Sequence, residues 1–88
     1  MDTAELMGRV KKVIAGILKI DPTTIDDHAN FVFDLGADSM QSVSLIAGFE
    51  EEFGIELEED KALAVQTVID AVKFIASYVD QAETTNAG

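Results

Sequence analysis

Few residues of this chain have types that could do chemistry: one histidine, His28; a serine in Leu35-Gly36-Ala37-Asp38-Ser39-Met40; and carboxylates gathered at Asp26-Asp27 and Glu50-Glu51-Glu52. Ser39 as a hydrolase nucleophile with His28 as its base would need a strand-to-helix elbow, a sheltered pocket and oxyanion donors. Gly36-Ala37-Asp38-Ser39-Met40 is not an elbow sequence and follows no strand pattern. His28 reads instead as an ordinary loop histidine. A calcium loop requires oxygen ligands at its positions 1, 3, 5 and 12 and glycine at 6. Counted from Asp26, this chain offers His28, Phe31 and Ala37 at positions 3, 6 and 12. With no cysteine and one histidine, neither a disulfide framework nor a zinc site is expected. Consecutive acids on a helix splay around its axis, so Glu50 to Glu52 read as a solvated, partner-facing edge rather than an acid/base pair.

What remains is Ser39 behind Asp38. A serine at the first helical position has an exposed hydroxyl beside the free backbone N–H groups of the helix start, which carry roughly half a positive charge, so a phosphate ester is favoured there. Asp38-Ser39 serving only as a good cap pair is the competing reading, and the residues alone leave both open.

The elements that would hold this serine follow from periodicity. Leu6, Val10, Val13, Ile14, Ile17 and Leu18 recur at spacings of three and four and predict a helix over about Asp2 to Lys19. Asp2 and Glu5 have capping-box spacing, with Thr3 as the alternative cap, and Asp21-Pro22 ends the helix. Ile20 to Ala37 has no sustained period but carries Ile25, Phe31, Val32, Phe33 and Leu35, so this long connection should lie over an apolar surface. Asp38, with Gln41 three residues on, opens a second helix that ends near Gly54. Its apolar side is wider than one core stripe needs: Leu45, Ile46, Phe49 and Phe53 should face the core, leaving Met40, Val43 and Ala47 as a shoulder. Glu58 to Val65 predicts a short third helix. Thr67 with Asp70 caps a last one carrying Val68, Val72, Ile75 and Val79, which should end near Asp80. The expected fold is all-α, a small bundle of three main helices and one short one with a long first loop. Residues 1–80 form the domain, and 81–88 are expected to be a disordered tail.

Composition narrows the function. The 88 residues hold 17 acids and six bases, a formal net charge of −11, which argues against binding a phosphate backbone. A hydrophobic fraction of 48% is well above that of a disordered acidic tail, so a packed core is expected. No apolar run approaches the ~20 residues that span a bilayer, and Asp2 and Glu5 stand where a signal region would be basic. A cytoplasmic monomer that inserts in no membrane is the expectation. The charge is uneven: Arg9, Lys11, Lys12 and Lys19 lie in the first helix, so Ile20 to Gly88 holds 15 acids against Lys61 and Lys73, a net −13.

At these same residues the chain resembles the acyl carrier proteins. The family's Gly-x-Asp-Ser-Leu run at the start of the second helix is matched by Gly36-Ala37-Asp38-Ser39-Met40, with Met40 in the leucine position. Phe33-Asp34-Leu35-Gly36, Glu50-Glu51-Glu52-Phe53-Gly54-Ile55 and Thr67-Val68-Ile69-Asp70 fall at spacings typical of bacterial, discrete type II carriers. The likeness covers about Leu6 to Val79. It implies a non-enzyme whose Ser39, preceded by Asp38, carries 4′-phosphopantetheine, transferred from coenzyme A by a separate magnesium-dependent holo-carrier synthase. The arm would hold acyl intermediates as thioesters for fatty-acid, specialised-lipid or polyketide synthesis. The family's chain shelter between the second and third helices would here be lined by Leu45, Phe49, Leu57, Val65 and Ile69, residues that plain core packing explains equally. Synthases and transferases with basic docking patches would meet the second helix at Met40, Gln41, Val43, Ser44, Ala47, Glu50 and Glu51. Two departures stand out: Gln41 and Ser44 occupy places that are acidic in many fatty-acid carriers, and Leu63 is apolar where the short third helix is often polar. They favour a specialised carrier over a housekeeping one. The alternatives are a peptidyl or aminoacyl carrier, and an acidic docking module that is never modified.

Overall fold

Helix α1 (Thr3–Leu18) starts one residue after Asp2, whose carboxylate accepts the Ala4 N–H, and stops at Lys19. Lys19 takes the left-handed conformation (φ 59°) and returns its N–H to the Ala15 carbonyl, so the helix ends at this cap before Asp21-Pro22 is reached. Pro22 instead opens a single 3-10 turn (Pro22–Thr24) capped by Asp21, in keeping with proline's fixed φ and missing N–H. Helix α2 (Ser39–Phe53) is closed by Gly54 at φ 64°, a conformation that glycine adopts without steric cost. Helix α3 (Glu59–Leu63) is a five-residue segment, shorter than expected because Glu58 makes no side-chain cap bond and Ala64 already ends it. Helix α4 (Val68–Ala87) continues past the expected end at Asp80: no Gly or Pro interrupts residues 81–87, and their backbone stays helical.

This computed structural model describes Asp2 to Ala87, with side chains through Val79; the disordered tail expected over 81–88 lies outside the residues whose side chains are described, and Gly88 lies outside the described residues. All regular elements among the described residues are helical.

Helix α1 packs on both α2 and α4. The largest fully buried side chains are Leu6, Val10 and Ile14 of α1 and Val68, Val72 and Ile75 of α4, each contributing about 1.5–3 kcal/mol by leaving water. Leu45 and Phe49 add the α2 face, and Ile25, Phe31 and Leu57 bring the connections into the same core. Gly48 permits the close approach of α2 to α1. A Cβ built there would lie 2.8 Å from Ile17 Cδ1 and 2.9 Å from Val13 Cγ1.

Arg9 fastens the far end of α2 to α1. Its Nε bonds Glu52 Oε2 and an Nη bonds the Glu52 carbonyl, both at 2.8 Å, and the guanidinium stands 4.6 Å over the Phe53 ring. Of the three consecutive acids, then, Glu52 is tied to Arg9, and Glu50 accepts the Leu57 N–H at 2.9 Å, holding the turn that leads to α3. Of the three only Glu51 is exposed, so the expectation of three solvated carboxylates is corrected for the other two, which are half-buried.

Candidate functional site

The site begins in the long connection. Asn30 folds residues 30–35 into one tight turn: its Oδ1 accepts the N–H groups of Val32 and Phe33, and its carbonyl accepts those of Asp34 and Leu35. Asp34 closes the turn by taking the Asn30 N–H at 2.7 Å. Two further bonds pin this turn to the start of α4, from Phe31 N–H to the Gln66 carbonyl and from Val68 N–H to the Ala29 carbonyl. Gly36, at φ 72°, then reverses the chain, and the Ala37 N–H returns to the Phe31 carbonyl at 2.8 Å. The segment that enters α2 is thereby fixed on both sides.

At the mouth of α2 the capping box forms as expected: Asp38 takes the Gln41 N–H, and the Gln41 side chain takes the Asp38 N–H. Ser39 is the first helical residue and is exposed. The capping is done by its neighbours, and its own hydroxyl makes no hydrogen bond among the described residues. A phosphate ester on Ser39 would meet the positive end of a 15-residue helix. Ser39 itself therefore takes no part in the cap.

One turn further on, roughly 4.5 Å along the helix axis, Ser42 borders an apolar cavity of about 280 Å³ between α2, α3, α4 and the first connection. Four of the five residues expected to line such a space do so: Leu45, Phe49, Leu57 and Val65. Ile69 does not reach it. It lies about 200° around the helix from Ala71, and it is Ala71, Phe74 and Ile75, spaced as one α4 face, that form that wall. The reading from sequence also missed Phe31, Val32 and Phe33, although the apolar content of the first connection signalled that it covers something. Leu63, noted as unusual, stands at the rim and is 47% exposed.

A family model described as a phosphopantetheine attachment site matches residues 8–75, more than three quarters of the chain. The chain belongs to that family. It is a non-catalytic carrier, and its cofactor is 4′-phosphopantetheine, held covalently. A carrier of this kind must meet a phosphopantetheinyl transferase and the enzymes that load and unload the arm.

The other candidate residues of the carrier lie on α2 and in the first connection. Met40, at 81% exposed, and Val43, at 49%, form the apolar shoulder beside Ser39, with Ala47 exposed one turn on. Ser44 is exposed as well, whereas Gln41 is half-buried and committed to the cap. His28 sits with Thr23–Asp27 around a separate depression that does not include Ser39. Asp27 there has its carboxyl held below the ordinary value of 3.8, first by the hydrogen bond from Lys11 and then by the lysine's charge. Asp21 is lowered by the hydrogen bonds it accepts from the Thr23 hydroxyl and N–H. Among the described residues no group of acids or histidines is arranged to hold a metal ion, and no helix is long and apolar enough to cross a membrane.

Proposed function

We infer that Ser39 is the attachment point of the 4′-phosphopantetheine arm and that the protein carries acyl groups on it as thioesters for fatty-acid, specialised-lipid or polyketide synthesis. In the loading step the Ser39 hydroxyl loses its proton and its oxygen forms an ester with the pantetheine phosphate of coenzyme A. The pyrophosphate bond breaks and the adenosine bisphosphate half leaves. A separate transferase with magnesium performs this chemistry. The observation that carries the reading is the exposed Ser39 hydroxyl, free of capping duty at the start of α2 and one turn from an apolar cavity.

The second helix is the surface on which partners would read the protein, through Met40, Val43 and Ala47 with Ser44 and Glu51 beside them, Asp38 and Gln41 framing the serine. Charge complementarity speeds such encounters more than it fixes their affinity. Gln41 and Ser44 leave the first turns after Ser39 neutral, which supports a dedicated set of partners over the housekeeping fatty-acid enzymes.

The test is the intact mass of the protein isolated from its own cells. A mass increased by phosphopantetheine plus an acyl group, mapped to Ser39, is the expected result, and the acyl group names the pathway. An aminoacyl adduct would reassign it as a peptidyl carrier, and a protein that is always unmodified would make it a docking module.

A further inference from the structure

We propose that Met40 is a redox switch on the docking shoulder: a peroxide oxidises its exposed thioether to the sulfoxide, and the carrier then docks poorly on the enzymes that work at Ser39. This rests on the carrier reading above and names a form of regulation at that same site.

The chain has no cysteine, so before an arm is attached its sulfur is confined to Met1, Met7 and Met40. Oxidation of a side-chain sulfur follows its access to solvent. Met7 is half-buried and packs against the core, whereas Met40 is 81% exposed. In the reaction the sulfur takes one oxygen atom and gives up two electrons. The O–O bond of the peroxide breaks, and its other oxygen leaves as water with both protons. Thiol-dependent methionine sulfoxide reductases reverse the step: the oxygen leaves as water and two thiols become a disulfide.

The consequence of oxidation is set by where Met40 stands. It follows Ser39 directly, about 1.5 Å further along the axis of α2, and shares one face with Val43 and Ala47, all three exposed. An enzyme whose active site takes the Ser39 oxygen covers this side chain. Residues 39–49 carry no charged side chain, so docking there depends on apolar contact and no salt bridge offsets its loss. A thioether leaves water favourably. A sulfoxide brings an oxygen that must be desolvated without a partner, which lowers occupancy about fivefold or more. The fold does not register the change, because the start of α2 is closed by Asp38 and Gln41 through bonds that do not involve the Met40 side chain. The docking face changes while the helix that carries it stays.

The experiment treats the full-length protein, before any arm is attached, with hydrogen peroxide and then removes the peroxide. Peptide mapping by mass locates the added oxygen, and loading is timed with coenzyme A, magnesium and a promiscuous phosphopantetheinyl transferase. Met40 should be oxidised well before Met7. Loading kcat/KM should then fall about fivefold or more, through KM, with Tm unchanged. Treatment with sulfoxide reductases should restore it. Met40→Leu, which keeps Met1 and Met7, should load at one rate before and after peroxide. Oxidation of Met7 ahead of Met40, full loading by the Met40 sulfoxide, a Tm that falls along with loading, or an equal loss in Met40→Leu overturns the inference and leaves the carrier reading intact. A wild type that does not load before any peroxide is added removes the carrier reading itself, and this inference with it.

Discussion

Asp38 and Gln41 hold each other's backbones across Ser39: the Gln41 N–H donates to Asp38 Oδ1 at 2.7 Å, and the Asp38 N–H donates to Gln41 Oε1 at 3.1 Å. The serine is thus carried at a helix start that two flanking side chains have already satisfied. Asp38→Ala removes the acceptor of the Gln41 N–H while the backbone N–H of residue 38 keeps its bond to Gln41 Oε1, and should destabilise the protein by about 1 kcal/mol. That corresponds to a Tm lower by roughly 4–8 °C for a domain of this size. Gln41→Glu keeps an acceptor in place and should cost much less than Gln41→Ala. Thermal melts of the three variants check the order.

Glycines of α1 and α2 should respond in opposite ways. Gly8 and Gly16 have nothing within 4 Å of an added Cβ, so Gly8→Ala and Gly16→Ala should each stabilise by roughly 0.5–1 kcal/mol through helix propensity. At Gly48 the same gain is opposed by overpacking against Val13 and Ile17, worth about 1–3 kcal/mol. Val13 is β-branched and stiff, so overpacking prevails and Gly48→Ala should lower the denaturation midpoint. A midpoint raised equally at all three positions would contradict the close approach of α1 and α2.

Acid should erase one specific contribution. Asp27 has its pKa depressed in the folded state by Lys11, so the interaction is fully present above the ordinary carboxylate value of 3.8 and is lost as pH falls through the lowered one. Asp27→Asn should therefore be less stable than wild type at pH 7 and indistinguishable from it in strong acid. Urea midpoints across that range measure the convergence.

Added salt should raise Tm. Screening weakens the ion pairs of Arg9 with Glu52 and Lys11 with Asp27, but these are partly exposed and individually small. The repulsion within a net charge of −11 is screened at the same time and is the larger effect. A Tm that stays flat or falls between low and physiological ionic strength would contradict this balance.

Much of the architecture was legible because single residues force it. Gly54 ends α2 as its position suggested, Asp38 and Gln41 form the expected box, and the three-and-four spacing of Leu6, Val10 and Ile14 marks the buried stripe. Local rules failed where a partner distant in sequence decides the outcome. Glu50 and Glu52 look like surface acids until Leu57 and Arg9 arrive from other segments. Lys19 ends α1 where the spacing put the end, but it does so through a left-handed conformation that favours glycine and not through Asp21-Pro22. The cavity was half legible: α2 periodicity identified Leu45 and Phe49, but which face of α4 meets them depends on packing, and that replaced Ile69 with Ala71, Phe74 and Ile75. Phe33 has no periodic partner at all, and only the Asn30 turn places it at the rim.

The most direct measurement is intact mass after incubating the unmodified protein with coenzyme A, magnesium and a promiscuous phosphopantetheinyl transferase. One phosphopantetheine adduct is expected on the wild type and none on Ser39→Ala. A wild type that gains nothing while a control carrier is modified, or a Ser39→Ala variant that still gains the adduct, would contradict it.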